Sequence, residues 1–466
     1  MKQLGLKKQW ENRLSFRSHP MWQEITIITL PALVELVMST LFGMIDMMMV
    51  GRLGPAAIAS VGLTNQPFML LLAVFAAVNI GTTTLVAWNI GSRQINQARA
   101  VTRQILVINT ILGAVMGTLG VLSARPIVSF MGAQPDTIDL ATAYFQIVAS
   151  GLLFQALTMG ITASLRGAGE TKIPMLYNVG SNLLNVFGNY VLIYGKLGFP
   201  QWGVAGAAVS TTVARFLACS AGFYIIYFSH QSKISISLKD DYRIDWHTIK
   251  KVFSIGLPAA LEQFILQSGL ILFAKTVSSL GTLSFAAHQI GVNISGLSFS
   301  PSLAFSVAAT TLVGQSLGAN DEQKAEKYAK VVQKMAITVA GFMGLMFILF
   351  SHAFASLYTS DLAVAAAAGT ILKILALALP GQSTQHSLAG ALRGAGDTMY
   401  PLYASALGIW VFRVAAARIF VTVFHWGLIG AWVAFVLDQY TRTAVIYFRF
   451  HSGKWKQVRA RVEKQA

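Results

Sequence analysis

Residues 53–92 read LGPAAIASVGLTNQPFMLLLAVFAAVNIGTTTLVAWNIGS, some forty positions without one Asp, Glu, Lys or Arg. The hydrocarbon core of a bilayer is crossed by about 20 helical residues, so this run holds more than one span or one long helix that projects beyond the bilayer. Further uncharged runs occupy 104–124, 140–165, 173–195, 276–320 and 335–360. None alternates apolar with polar residues as barrel strands do, and in lipid each backbone amide needs a partner within its own segment or a closed barrel. The runs therefore predict helices, near 24–50, 56–91, 101–124, 139–164, 173–195, 204–229, 250–279, 284–317, 329–351, 363–392, 399–421 and 426–448. The fold class expected is an all-α integral membrane protein with twelve transmembrane helices. Composition agrees: 55% of the residues are hydrophobic and 11% charged, with a mean hydropathy of +0.59, far from a soluble chain.

A net charge of +17 invites a nucleic-acid partner, but its placement argues against one. Lysine and arginine collect in cytoplasmic loops of membrane proteins. With both termini inside, the cytoplasmic segments take most of the 35 basic residues, from Lys2, Lys7, Lys8, Arg13 and Arg17 through Lys233, Lys239 and Arg243 to the Arg449–Lys464 tail. External loops hold little beyond Arg52, Arg125, Lys196 and Arg418. The expected setting is the inner cell membrane, multi-pass, with lipid rather than nucleic acid as the surrounding partner. Cys219 is the single cysteine, so no intramolecular disulfide can form. The first apolar run, which contains Glu35 and Asp46, reads as a permanent helix rather than a cleaved leader.

The chain is duplicated at an offset of 227 residues. Leu30-Pro31-Ala32 with Glu35 recurs as Leu257-Pro258-Ala259 with Glu262, and Thr84-Leu85-Val86 with Gly91 as Thr311-Leu312-Val313 with Gly318. Leu165-Arg166-Gly167-Ala168-Gly169 recurs as Leu392-Arg393-Gly394-Ala395-Gly396. An even number of spans returns the chain to the cytoplasm, so the copies share one orientation and are related by an axis along the membrane normal. The expected organisation is a cytoplasmic N-terminal segment 1–23, an N-lobe of six helices over 24–229, a cytoplasmic linker 230–249, a homologous C-lobe of six helices over 250–448, and a basic tail 449–466. Two bundles across a cleft suit alternating access.

The energy source is narrowed by what the sequence lacks. It contains no G-x-x-x-x-G-K-[ST] phosphate loop, no H-E-x-x-H and no C-x-x-C. The Gly-Ala-Gly turns at 167–169 and 394–396 read as chain reversals. An ion gradient is then the expected drive, with no bound cofactor. Ionisable residues inside spans are costly and mark function. Glu35 and Asp46 stand eleven residues apart, about three helical turns, so both can face one side. Asp46 lies in Met44-Ile45-Asp46-Met47-Met48-Met49-Val50, where a proton or Na+ would neutralise it cheaply. Pro31 offers a place for the first helix to bend. Asn185 and Asn189 share a helical face, as cation ligands or as interhelical hydrogen-bond partners. In the second half Glu262 repeats Glu35, whereas Phe273 replaces Asp46. His288 and His386 can titrate or pack, Asp438 and Arg442 are expected to pair one turn apart, and Arg166 and Arg393 are expected to cap helix ends or bind neighbouring carbonyls.

The segment Pro31–Gly54, with Asp46 fifteen residues after the proline and Val50-Gly51-Arg52-Leu53-Gly54 at its end, resembles the first helix of MATE (multidrug and toxic compound extrusion) exporters. So do Ala308-Ala309-Thr310-Thr311-Leu312-Val313-Gly314-Gln315, both Leu-Arg-Gly-Ala-Gly turns, and Asn185 to Gly203. The resemblance covers nearly the whole chain. It implies a two-lobed, monomeric antiporter that expels organic cations and amphipathic drugs against H+ or Na+, with no enzymatic activity. It implies a cation site at Asp46, Asn185, Asn189 and Thr211, without a resident metal but with possible Na+ binding at Asp46. Some relatives carry an aspartate where this chain has Asn189, and others use a second-lobe acid pair whose positions fall on Glu262 and Gln382. Glu35, Glu262, Gln382 and His386 are secondary candidates. Two alternatives stay open: a flippase of lipid-linked precursors, which would line its cleft with several basic residues where this chain offers only Arg215 and Arg413, and a membrane-embedded enzyme, which would cluster catalytic His, Asp or Cys near a membrane face where this chain shows no such cluster.

Overall fold

Helix-forming apolar runs separated by glycine-rich turns give helices and short connections, with no strand among the described residues; the computed structural model describes residues 20–229, 232–359 and 361–465. The basic residues Lys2, Lys7, Lys8, Arg13 and Arg17 lie outside them. The first half of the chain forms α1 (Pro20–Gly51), α2 (Pro55–Gly91), α3 (Ile95–Leu122), α4 (Ala124–Phe130), α5 (Ile138–Ser150), α6 (Leu152–Gly167), α7 (Lys172–Tyr194) and α8 (Gly203–Tyr227). The second forms α9 (Trp246–Ser278), α10 (Thr282–Gly318), α11 (Glu322–Leu349), α12 (Ser351–Ser356), α13 (Leu362–Gly394), α14 (Met399–Ala406), a π-helix (Leu407–Ala415), α15 (Ala416–Thr422) and α16 (Gly427–His451). A 3-10 turn (Lys454–Gln457) and α17 (Val458–Gln465) follow.

Among the described residues nine helices are long and apolar enough to cross a membrane, and ten if α5 and α6 count as one span. The expected single helix over 139–164 is in fact divided at Gly151, with a 45° bend between its parts. Gly151 packs against Thr212 at a distance that leaves little room for a side chain, and glycine is one of the few residues that tolerates such a kink. The expected helix over 399–421 is likewise interrupted, by the π-helix. Two helices of span length, α7 with 23 residues and α16 with 25, fall short in apolarity. They carry Asn178, Asn182, Asn185 and Asn189, and Asp438 and Arg442. The α1 helix runs continuously through Pro31.

The molecule carries large apolar side chains on its outer surface and shelters its intramembrane polar groups inside. Met48 is 69% exposed and Phe187 58%, while Asn189 and Asp438 are fully buried. A soluble protein would invert this, so the exposed apolar belt fits a lipid surround.

The halves join through symmetry-related contacts. The α2 helix packs on α9 and α10, and α10 packs in turn on α1. Gly91 meets the Gln315 carbonyl, and its repeat Gly318 meets the Trp88 carbonyl, each so closely that a Cβ would collide. Both Leu-Arg-Gly-Ala-Gly turns end on a left-handed glycine, Gly169 with φ +86° and Gly396 with φ +83°, a conformation other residues adopt at a cost. This bears out their reading as chain reversals. The next residue in each copy is an acid. Glu170 accepts from the Ser232 hydroxyl (2.5 Å) and the Lys233 backbone (2.9 Å), tying down the connection between the halves. Asp397 pairs with Arg449 at 2.7 Å; burial pushes its carboxyl up, and the arginine opposes that shift.

Candidate functional site

A cavity of about 800 Å³ lies between the halves. Its wall comes mostly from α1, α2, α5, α6, α7 and α8, with Leu303, Ser306, Val307 and Thr310 of α10 and Arg393 of α13 closing the other side. Volumes of this size suit drug-sized ligands.

Polar residues reach this wall because α1 and α7 run side by side in register. Asn178 donates to Glu35 Oε1 at 2.7 Å, and eleven residues further along both helices Asn189 donates to Asp46 Oδ1. The eleven-residue interval of the two acids is thus matched by two asparagines at the same interval. Asn185 Nδ2 donates to Thr211 Oγ1 at 3.2 Å and to Ser210 Oγ at 3.3 Å, linking α7 to α8. The structure therefore places Asp46, Asn185 and Thr211 on the wall of the cavity, with Asn189 buried behind Asp46. Asn189 is fully buried, and among the described residues its Oδ1 has no hydrogen-bond partner. A buried orphan acceptor beside a carboxylate can take a proton donor or ligate a hard cation.

The two acids differ in their partners. Arg166 Nη2 lies 2.9 Å from Glu35 Oε2, while among the described residues Asp46 has only the uncharged amide of Asn189. The second half repeats the first pairing and drops the second. Arg393 Nη2 lies 2.6 Å from Glu262 Oε2, and Ser405, the repeat of Asn178, donates to Glu262 Oε1 at 3.1 Å. At the positions of Asp46 and Asn189, however, stand Phe273 and Ala416, which pack in one apolar cluster.

This corrects the expectation for Arg166 and Arg393. Their side chains neither cap helix ends nor seek carbonyls; each neutralises the acid of its own half. The carbonyls of these turns are instead acceptors for the opposite half. Thr84 Oγ1 donates to the Arg393 carbonyl (2.9 Å) and Thr311 Oγ1 to the Arg166 carbonyl (2.8 Å). Trp88 Nε1 donates to the Gly394 carbonyl (2.7 Å) and its counterpart Gln315 Nε2 to the Gly167 carbonyl (3.0 Å). Four hydrogen bonds in two symmetry-related pairs thus close the seam beneath the cavity. The matched Thr84 and Thr311 blocks are visible in the sequence as a repeat, but nothing in the sequence shows that each copy bonds the other.

The remaining candidates lie elsewhere. Glu35 lines the cavity, whereas Gln382 and His386 are buried in α13 away from it. His386 packs edge-on to Phe299 (4.8 Å between ring centres), and His288 sits among Phe273, Phe285 and Trp432. Asp438 and Arg442 pair as expected at 2.9 Å, and Arg413 of the π-helix joins them at 2.5 Å. Gly408 makes room for this triad, since a Cβ there would collide with Asp438 and Arg442.

A family model described as MatE matches residues 31–191 and 258–442. The chain is 31% identical over 435 residues to a probable multidrug resistance protein NorM of Thermotoga maritima, covering 93% of each protein. It is 27% identical to the multidrug resistance protein PmpM of Pseudomonas aeruginosa, covering 83% of this chain and 81% of that one. A solved structure described as the outward-facing conformation of a multidrug resistance MATE family transporter of the MOP superfamily shares the fold, with a TM-score of 0.88 at 24% identity over 94% of this chain and 97% of that chain.

Proposed function

The chain belongs to the MATE family of efflux transporters, whose members are not enzymes, and on that premise we propose that it exports organic cations and amphipathic drugs by antiport against H+ or Na+. The observation that carries the reading is the unpaired Asp46 carboxylate beside the orphan Oδ1 of Asn189, on the wall of a cavity between the halves. A carboxylate without a fixed counter-ion can exchange a proton or Na+ for a cationic drug; one locked to an arginine cannot. Asp46, Asn185, Asn189 and Thr211 form the coupling site of the first lobe, and the second lobe, with Phe273 and Ala416 at the equivalent place, has none there. Counting α5 with α6, and adding α7 and α16, gives twelve spans in two six-helix lobes, and the protein works as a monomer.

Alternating access then means breaking the seam formed by Thr84, Trp88, Thr311 and Gln315. Each neutral hydrogen bond contributes about 1 kcal/mol, so removing two shifts the balance of closed and open seams by up to about 30-fold. In a Cys219-free background with Ala168→Cys as a reporter in the buried seam, adding Thr84→Val and Thr311→Val should speed thiol labelling in inside-out vesicles several-fold. Unchanged labelling would remove the seam from the transport cycle.

The decisive assay is dye efflux from proteoliposomes with imposed proton or Na+ gradients. Export driven by neither gradient, or export at full rate without one, would refute antiport. Topology is tested separately: Lys8→Cys, Lys239→Cys and Ala460→Cys, each in a Cys219-free background, should resist an impermeant thiol reagent in intact cells. Labelling of any of the three would place that segment outside.

A further inference from the structure

Five charged side chains line the cavity: Glu35, Asp46, Arg166, Arg215 and Arg393. Arg166 is neutralised by Glu35 and Arg393 by Glu262. Asp46 and Arg215 are left, and they do not pair: among the described residues no carboxylate comes within 4 Å of the Arg215 guanidinium. Arg215 stands on α8 one turn beyond Thr211, with its guanidinium 4.7 Å from the centre of the Phe68 ring. The ring holds the side chain by cation–π attraction but takes up none of its in-plane donors. Nη1 is buried and among the described residues has no hydrogen-bond partner. Asp46 and Arg215 both line this one cavity.

An unpaired guanidinium inside a membrane protein is costly and persists where something uses it. Its planar fork of donors matches a carboxylate in bidentate fashion. We infer that the cavity is built for zwitterions, with Asp46 receiving the cationic end of an aromatic amphiphile and Arg215 selecting its carboxylate. A simple cation gains Asp46 but meets the repulsion of Arg215, so the guanidinium sorts substrates as well as binding them. The inference rests on the cavity being the export path. In the sequence Arg215 is only one of several intramembrane charges; its lack of a carboxylate partner among the described residues and its place in the same cavity as Asp46 appear only in three dimensions.

Rhodamine 110, which carries a free benzoate on a cationic ring system, and rhodamine 123, its methyl ester, differ only in the carboxylate. Export of both is measured in proteoliposomes for the wild type, Arg215→Gln and Arg215→Lys. The ratio of the two within one sample cancels any loss of folded protein. Losing one charge-assisted carboxylate contact should lower the rhodamine 110 to rhodamine 123 ratio about tenfold or more in Arg215→Gln, and by less in Arg215→Lys, which keeps the charge without the fork. An unchanged ratio in Arg215→Gln overturns the inference, as does a wild type that exports only the ester; antiport itself survives both results. A wild type that neither binds nor exports either dye under an imposed gradient overturns the export reading as well.

Discussion

Asp46→Asn protein should fold and yet export substrate at near-background rates when a gradient is imposed. Asparagine keeps the size of the side chain and can still meet the Asn189 amide, so the packing of α1 on α7 survives. What disappears is the group that a proton or Na+ can neutralise, and with it the exchange through which a gradient does work. The loss should therefore appear in gradient-driven efflux from vesicles, by about a hundredfold or more if no other carboxylate substitutes, while the amount of folded protein stays near that of the wild type. Glu35→Gln is the natural contrast. It leaves Arg166 without its counter-ion, so its damage should fall on the amount of folded protein, with coupling per folded molecule largely retained. Substantial gradient-dependent export by Asp46→Asn would move the coupling role elsewhere.

Glu262→Gln should cost far more in stability than in coupling. Glu262 is 3% exposed and Arg393 16% at the side chain, with 2.6 Å between them, and Ser405 adds a hydrogen bond to the same carboxylate. Removing one partner of a buried pair strands the other charge, at a typical cost of about 3–5 kcal/mol. Thermal unfolding in detergent should show a large drop for Glu262→Gln, and Glu262→Gln with Arg393→Met should recover much of it, because no charge is then stranded. If instead the single variant is as stable as the wild type and has lost gradient-driven export, Glu262 is a coupling acid and its pairing with Arg393 is one state of a cycle. The carbonyl of Arg393 also accepts from Thr84 across the seam, so disorder at this turn would be felt in both halves.

Local chemistry by itself determines much of this protein. Uncharged runs longer than a bilayer is thick leave helices as the economical way to satisfy the backbone, and the 227-residue repeat announces two copies of one unit. Asp46 stands out because an acid amid Met44, Met47, Met48 and Met49 has no other reason to be there, and the asparagines of α7 fall on one face by their spacing alone. Tertiary structure decides which charges are free. Arg166 meets Glu35 from 131 residues away and Arg393 meets Glu262 at the same separation; no local spacing rule reaches so far, and an arginine beside a glycine turn reads equally well as a helix cap. The parallel register of α1 and α7, the break at Gly151, the π-helix that carries Arg413 and the four hydrogen bonds exchanged by the halves are likewise consequences of packing. A sequence states which groups are costly to bury, whereas only the packed chain determines which of them have found partners, and Asp46 and Arg215 matter because they have found no counter-ion among the described residues.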